Sequence, residues 1–170
     1  MINKKVTDAL NEQINAEMWS AYLYLSMSAY FQSNNLAGFA NWMRIQYQEE
    51  MSHALKFFDY VTERGGKVEL KPIAEVKTEW KNAIEVFKET LVHEQKVTSL
   101  INNLVNIAIE EKDHASNNFL QWYVSEQVEE ESNVDKLLGE LILVDGNGHG
   151  MLLLDRELAT RVFIDPTKTI

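Results

Sequence analysis

Glu49-Glu50-Met51-Ser52-His53 falls in the middle of a run with helical periodicity. Glu50 and His53 are three residues apart, so they share one helix face. The rest of that face is apolar: Phe39, Met43, Phe57 and Tyr60 follow the same stripe. A carboxylate and an imidazole thus point where a core belongs. Burying a lone charge is costly, so such a pair calls for partners or a metal.

Outward from this stretch, the helix runs back to Ser33-Asn34-Asn35, with Asn35 the expected N-cap, and forward to about Arg64, where Gly65-Gly66 ends it. Residues 5–33 read as the preceding helix, with the stripe Leu10, Ile14, Glu17, Ala21, Tyr24, Ser28 and Phe31. Residues 66–80 contain Pro72 and no long periodic pattern. A 15-residue extended segment reaches about 50 Å, and a 29-residue helix is roughly 43 Å long. The segment therefore reads as a crossover along a bundle, laying Val68, Leu70, Ile73 and Val76 on its surface.

A third helix spans about 82–111, on the stripe Ile84, Phe87, Leu91, Glu94, Thr98, Ile101, Val105 and Ala108. Lys112-Asp113 breaks it, with Asp113 the cap of a fourth helix over about 114–142. That helix carries Leu120, Tyr123, Gln127, Glu130, Val134, Leu137 and Leu141. Asp145-Gly146-Asn147-Gly148 is a turn, and Met151 to Thr160 makes a short fifth helix. The expected fold is all-α: a four-helix bundle with one long crossover between its second and third helices, plus a short C-terminal fifth helix. Residues 1–160 form its domain and 161–170 a tail.

Every stripe is interrupted by polar residues: Glu17, Glu50 with His53, Glu94, and Gln127 with Glu130. Each interruption lies about 12–17 residues into its own helix, roughly 18–25 Å along the axis. All therefore fall near mid-height whichever way each helix runs. Misphased stripes with solvated charges are the bland alternative, and for one Glu alone it is the better reading. Four at matching depth argue for a metal, since several unpaired buried carboxylates would be prohibitive. Carboxylates with a single imidazole suit iron or manganese. Other histidines, His93, His114 and His149, read as non-ligands; His93 should face roughly 100° away from Glu94.

Composition narrows the classes. The 170 residues allow one domain with a real core, and 25% charged, 45% hydrophobic and 2 Pro fit a folded helical chain. Zero Cys excludes disulfides and thiolate metal sites. A net charge of −10 argues against nucleic acid as a partner. No apolar run approaches the ~20 residues of a membrane span, and Met1-Ile2-Asn3-Lys4-Lys5 leads into an amphipathic stretch, so neither a membrane partner nor a signal peptide is expected. The expected location is cytoplasmic.

Asn11-Glu12-Gln13 through Glu17, Gln48-Glu49-Glu50-Met51-Ser52-His53, and Phe119 through Glu131 (FLQWYVSEQVEEE) together resemble a bacterial non-haem ferritin, one of the ferritin-like di-iron proteins. The resemblance covers about residues 1–160, including the crossover and the fifth helix. It implies iron storage with ferroxidase activity: Fe(II) oxidised by O2 or H2O2 at a di-iron centre, and ferric mineral held in a homo-oligomeric shell of 24 subunits. Glu17, Glu50 and His53 would hold the first iron, Glu50 would bridge, and Glu94 and Glu130 would hold the second. Gln127 stands where related proteins carry another carboxylate or His and completes the set. A third iron site would map onto Glu49, Glu126, Glu129 and Glu130. A solvated face is the alternative for the first three of these. Tyr24 would take a redox or hydrogen-bonding role, and Trp122 a packing one. Met51 matches the haem-ligating Met of related bacterioferritins, but Gln127 argues against that subfamily, so no haem is expected.

Competing readings are a small-oligomer di-iron or di-manganese oxidase or peroxidase, a DNA-protecting mini-ferritin, and a non-catalytic helical interaction module. The charge and the lack of a basic tail weigh against the second.

Overall fold

The computed structural model describes residues 2–145 and 147–168. Its helices are α1 (Lys4–Ser33), α2 (Ala37–Glu63), α3 (Ala83–Glu110), α4 (His114–Leu143) and α5 (Gly148–Leu158), followed by a 3-10 turn, Pro166–Lys168. No strand occurs among the described residues.

Cross-helix contacts fix the directions. Ile2 N donates to Arg64 O, so α1 begins beside the end of α2. Lys5 pairs with Glu110 at 2.9 Å, placing the start of α1 by the end of α3. Tyr60 Oη lies 3.0 Å from Ser116 Oγ, joining the end of α2 to the start of α4. The second and third helices therefore run the same way, and residues 66–80 must travel the length of the bundle.

Local chemistry sets most boundaries. Asn3 Oδ1 accepts from Lys5 N at 2.7 Å, Asn82 Oδ1 from Glu85 N at 2.9 Å, and Asp113 Oδ1 from Ser116 N at 3.0 Å, each capping a helix. Gly65 takes φ 73 just past α2, as a helix-terminating glycine does. Two expectations need correction. Asn35 does not cap α2; it sits at φ 60, and Leu36 at the cap position offers no side-chain acceptor. The fifth helix starts at Gly148 rather than Met151, because Asn147 Oδ1 accepts from both His149 N and Gly150 N. The expected turn there includes Gly146, which lies outside the described residues.

The crossover is also held differently than its apolar residues imply. Val76 is buried and Val68 packs against the core, but Leu70 and Ile73 are 63% and 45% exposed. Polar side chains along α1 bind the segment's carbonyls instead: Asn11 to Lys67 O at 3.0 Å, Asn15 to Lys71 O at 3.3 Å, Trp19 to Glu75 O at 3.4 Å, and Ser26 to Lys77 O at 2.7 Å. These bonds satisfy backbone groups that no secondary structure pairs.

Core phasing holds for α1 and α4, whose stripe residues are all buried. On α3 the buried face is broader and shifted, comprising Val86, Phe87, Thr90, His93, Glu94, Val97, Ile101, Leu104 and Ala108. The apolar core divides into two clusters. One holds Tyr24, Phe31, Phe39, Met43, Phe87 and Leu141; the other holds Leu10, Ile14, Phe57, Ile101, Leu120 and Tyr123. The polar interruptions fall between them in every helix.

Candidate metal centre

Glu17, Glu50, His53, Glu94, Gln127 and Glu130 are each 5% exposed or less. One ligand atom from each of Glu17, Glu50 and His53 lies within 4.8 Å of the others, and His53, Glu126 and Glu130 form a second such group. His53 belongs to both, with Nδ1 3.6 Å from Glu50 Oε2 and Nε2 3.8 Å from Glu126 Oε1. Neither group includes Glu94, which is engaged by protein donors instead.

Those donors come from side chains around the cluster. Gln13 Nε2 donates to Glu17 Oε1 at 2.9 Å. Gln46 Nε2 donates to Glu130 Oε2 at 2.9 Å. Tyr24 Oη donates to Glu94 Oε1, and Gln127 Nε2 donates to Glu94 Oε2 at 3.2 Å. Tyr123 Oη donates to the carbonyl of His53 at 3.0 Å, and its ring stacks on Phe57 at 4.0 Å, fixing the turn that carries the imidazole. Trp122 packs edge-on against His53 at 5.5 Å.

Among the described residues, three buried side-chain atoms find no hydrogen-bond partner: Glu17 Oε2, Glu50 Oε2 and His53 Nε2. All three belong to the cluster's ligand types, and each polar atom left unpaired in a low dielectric carries a desolvation penalty. His53 faces Glu50 through Nδ1 and Glu126 through Nε2, so cations at the two ligand groups that share it would satisfy these atoms, and the residues fit a hard metal ion.

The electrostatics agree. Burial, then the neighbouring Glu50 charge, pushes Glu17 up to about 8. Burial pushes Glu94 up to about 7, against the opposing pull of Tyr24 and Gln127. Burial also raises Glu50 and, reinforced by Glu94 and Glu50, lifts Glu130 well above the usual carboxylate range. His53 goes the other way for an imidazole in a core: burial disfavours its charge, but Glu126 and Glu50 hold it well above 6.5. Without a cation, the site therefore holds protons.

Glu49, Glu126, Glu129 and Glu130 line one side of a cavity of about 380 Å³, with Trp122 and Arg161 also in its wall. Glu129 is exposed, Glu126 is partly covered, and Glu49 pairs with Arg161 at 2.7 Å. Burial raises Glu49, opposed by that guanidinium. His93 is buried but stands apart from the cluster, with Nε2 2.9 Å from Ser20 Oγ; burial and Lys96 lower it to about 4.

Sequence reading passed over Gln13, Gln46 and Arg161. For the glutamines a signal exists: each lies four residues before a cluster glutamate, on the same helix face. Arg161 follows α5 with no periodicity to flag it.

A family profile described as "Ferritin-like domain" matches residues 7–144. The chain is 44% identical over 161 residues to a bacterial non-heme ferritin of Bacteroides fragilis, covering 95% of this chain and all of that one. It is 40% identical over 163 residues to the bacterial non-heme ferritin of Staphylococcus haemolyticus, covering 96% and 98%. Among solved structures it superposes on an open pore ferritin from Archaeoglobus fulgidus at TM-score 0.94 and 50% identity, covering 95% and 100%. An engineered closed form of that ferritin gives TM-score 0.96 at 50% identity, covering 96% and 100%. This chain belongs to the ferritin family.

Proposed function

We infer that the chain stores iron and oxidises Fe(II) at the polar waist of its own bundle. The observation that carries this reading is the trio of partnerless buried atoms, Glu17 Oε2, Glu50 Oε2 and His53 Nε2. In the first position, Glu17, Glu50 and His53 bind the substrate Fe(II), with Glu50 shared toward the second. Glu94, Glu130 and Gln127 serve the second position, supported by the hydrogen bonds that orient Glu94 and Glu130. Each Fe(II) gives one electron to O2 or H2O2. The carboxylates favour the ferric product, whose higher charge offsets theirs.

The remaining groups handle geometry and protons. Tyr24 keeps one Glu94 oxygen oriented, and burial with the surrounding carboxylates holds its phenol protonated. Loading by cations displaces the protons held by Glu17 and Glu94. Glu49, Glu126 and Glu129, with Glu130, make the third iron site beside this centre.

Ferric product then collects as mineral inside a closed homo-oligomer of 24 copies. Exposed apolar side chains supply material for such contacts: Leu70 and Ile73 on the crossover, and Leu152 and Leu153 on α5. Among the described residues, no helix is long and apolar enough to cross a membrane. The cytoplasm, a reducing compartment that a chain without disulfides suits, is the one we assign.

Aerobic addition of Fe(II) to the purified protein tests the reading. A rapid ferric absorbance, lost in Glu50→Ala and His53→Ala variants that keep their assembly, is expected. Equal rates in all three proteins would sink it. A particle of several hundred kilodaltons with an electron-dense mineral core separates storage from a small-oligomer oxidase.

A further inference from the structure

We propose that Arg161 is a resident counter-cation for the carboxylate-lined cavity beside the di-iron centre, and that iron occupies the third site only by displacing it. This rests on the ferroxidase reading above, and concerns what controls one of its positions.

Arg161 follows α5 and is drawn back over α2. Asn41 Nδ2 donates to its carbonyl at 3.0 Å, fixing the backbone. Its guanidinium lies 4.9 Å from the Trp42 ring. One arm, Nη1, donates to Gln46 Oε1 at 2.6 Å, and the other, Nη2, to Glu49 Oε2 at 2.7 Å. The fork thus spans two side chains one helical turn apart, a geometry that a guanidinium meets and an ammonium does not.

Both contacts lead to iron ligands. Glu49 belongs to the cavity wall with Glu126, Glu129 and Glu130. Gln46, whose oxygen faces Arg161, turns its Nε2 to Glu130 Oε2. One side chain from the C-terminal segment therefore grips both a third-site acid and the donor that orients a di-iron acid. His53 Nε2, buried and without a hydrogen-bond partner, lies 3.8 Å from Glu126 Oε1 on that wall.

Charge decides the consequence. Four carboxylates and one guanidinium line the cavity, so a net negative field remains that draws a dication. Nη2 now holds Oε2 of Glu49, one of the two oxygens this carboxylate can offer a dication. The guanidinium and the metal compete for the carboxylate, and Arg161 lowers the affinity of the third site without touching Glu17 or Glu50. A weakened third site lets iron pass onward rather than stay.

Anaerobic calorimetric titration of the metal-free, full-length protein with Fe(II), repeated with redox-inert Zn(II), reads this directly. In the native protein two tight sites per subunit and one weaker site are expected. Arg161→Gln keeps hydrogen-bonding capacity but removes the charge; it should tighten the weaker site about tenfold and change the tight pair less, since Arg161 reaches that pair only through Gln46. An unchanged or weakened third site in this variant overturns the gate while leaving the di-iron reading intact. Absence of the tight pair in the native protein overturns both. As a measurement free of any variant, Zn(II)-soaked crystals of the native protein should show the guanidinium withdrawn from Glu49 wherever the third site carries anomalous density. A bound ion together with an intact Arg161–Glu49 contact refutes the proposal.

Discussion

Asp155 Oδ1 accepts from the backbone N–H of Gly38 at 2.8 Å and of Phe39 at 3.1 Å, so a residue of α5 caps α2 from 117 positions away. A Cβ added at Gly38 would lie 1.6 Å from the Asp155 carbonyl oxygen, so only glycine admits this approach. Asp155→Ala should cost about 1 kcal/mol of local stability. Gly38→Ala should cost more, because α5 must move off. Hydrogen exchange of α5 and the first turn of α2 is the measurement; unchanged protection in Gly38→Ala would contradict the packing.

Tyr24→Phe removes one hydrogen bond to Glu94 and no volume. Folding and assembly should survive. Glu94 then loses a contact that favours its charged form, so its proton is held more tightly and metal competes less well. Iron oxidation should slow about three- to tenfold near neutral pH. Stopped-flow rates across pH are the check, with the deficit shrinking as pH rises.

Gln46→Leu strips the N–H from Glu130 Oε2 and the acceptor from Arg161 together. Outer partners of metal ligands are worth roughly 10–100-fold in affinity. Anaerobic Fe(II) titration should show the second tight position weakened on this scale and the first spared. Equal weakening of both would point to general unfolding.

Metal removal should matter more as pH rises. In the folded chain Glu17 is raised to about 8 and Glu94 to about 7, from 4.5. Raised groups stabilise the fold below their unfolded value, and that contribution is lost as pH climbs through the folded value. His53, also raised, acts in the same direction above 6.5. The chelated protein should therefore melt lower at pH 8 than at pH 5. A tenfold change in proton affinity is worth roughly 1.4 kcal/mol, and each kcal/mol moves the melting temperature by roughly 2–4 °C, so the difference should be several degrees. The metal-loaded protein should lose less, and loading should release protons. Calorimetric melting with and without chelator tests this; a metal-free melting temperature flat across the range would refute it.

Much of this architecture is legible in the sequence where one periodicity dominates. α1 and α4 each bury one stripe, so Glu17, Gln127 and Glu130 stand out against apolar neighbours. α3 is harder to read because adjacent pairs, Val86 with Phe87 and His93 with Glu94, are both buried. A helix packed on two sides has no single clean stripe. Asn35 has the chemistry of a cap, yet the acceptor for α2 comes from Asp155, a contact no local window contains. Leu70 and Ile73 suggest apolar docking of the crossover, whereas hydrogen bonds from Asn11, Asn15, Trp19 and Ser26 do the holding. The donors Gln13 and Gln46 lie in plain view but carry no charge to mark them.

The two-block core has a consequence for the subunit as a whole. Each block is a small oil drop of its own, and the storey between them is built of groups that repel one another unless a proton or an ion intervenes. Replacing that storey with leucine and methionine would give a sturdier bundle with nothing to do. A metal ion bound in that weak midriff would act as the rivet between the two blocks.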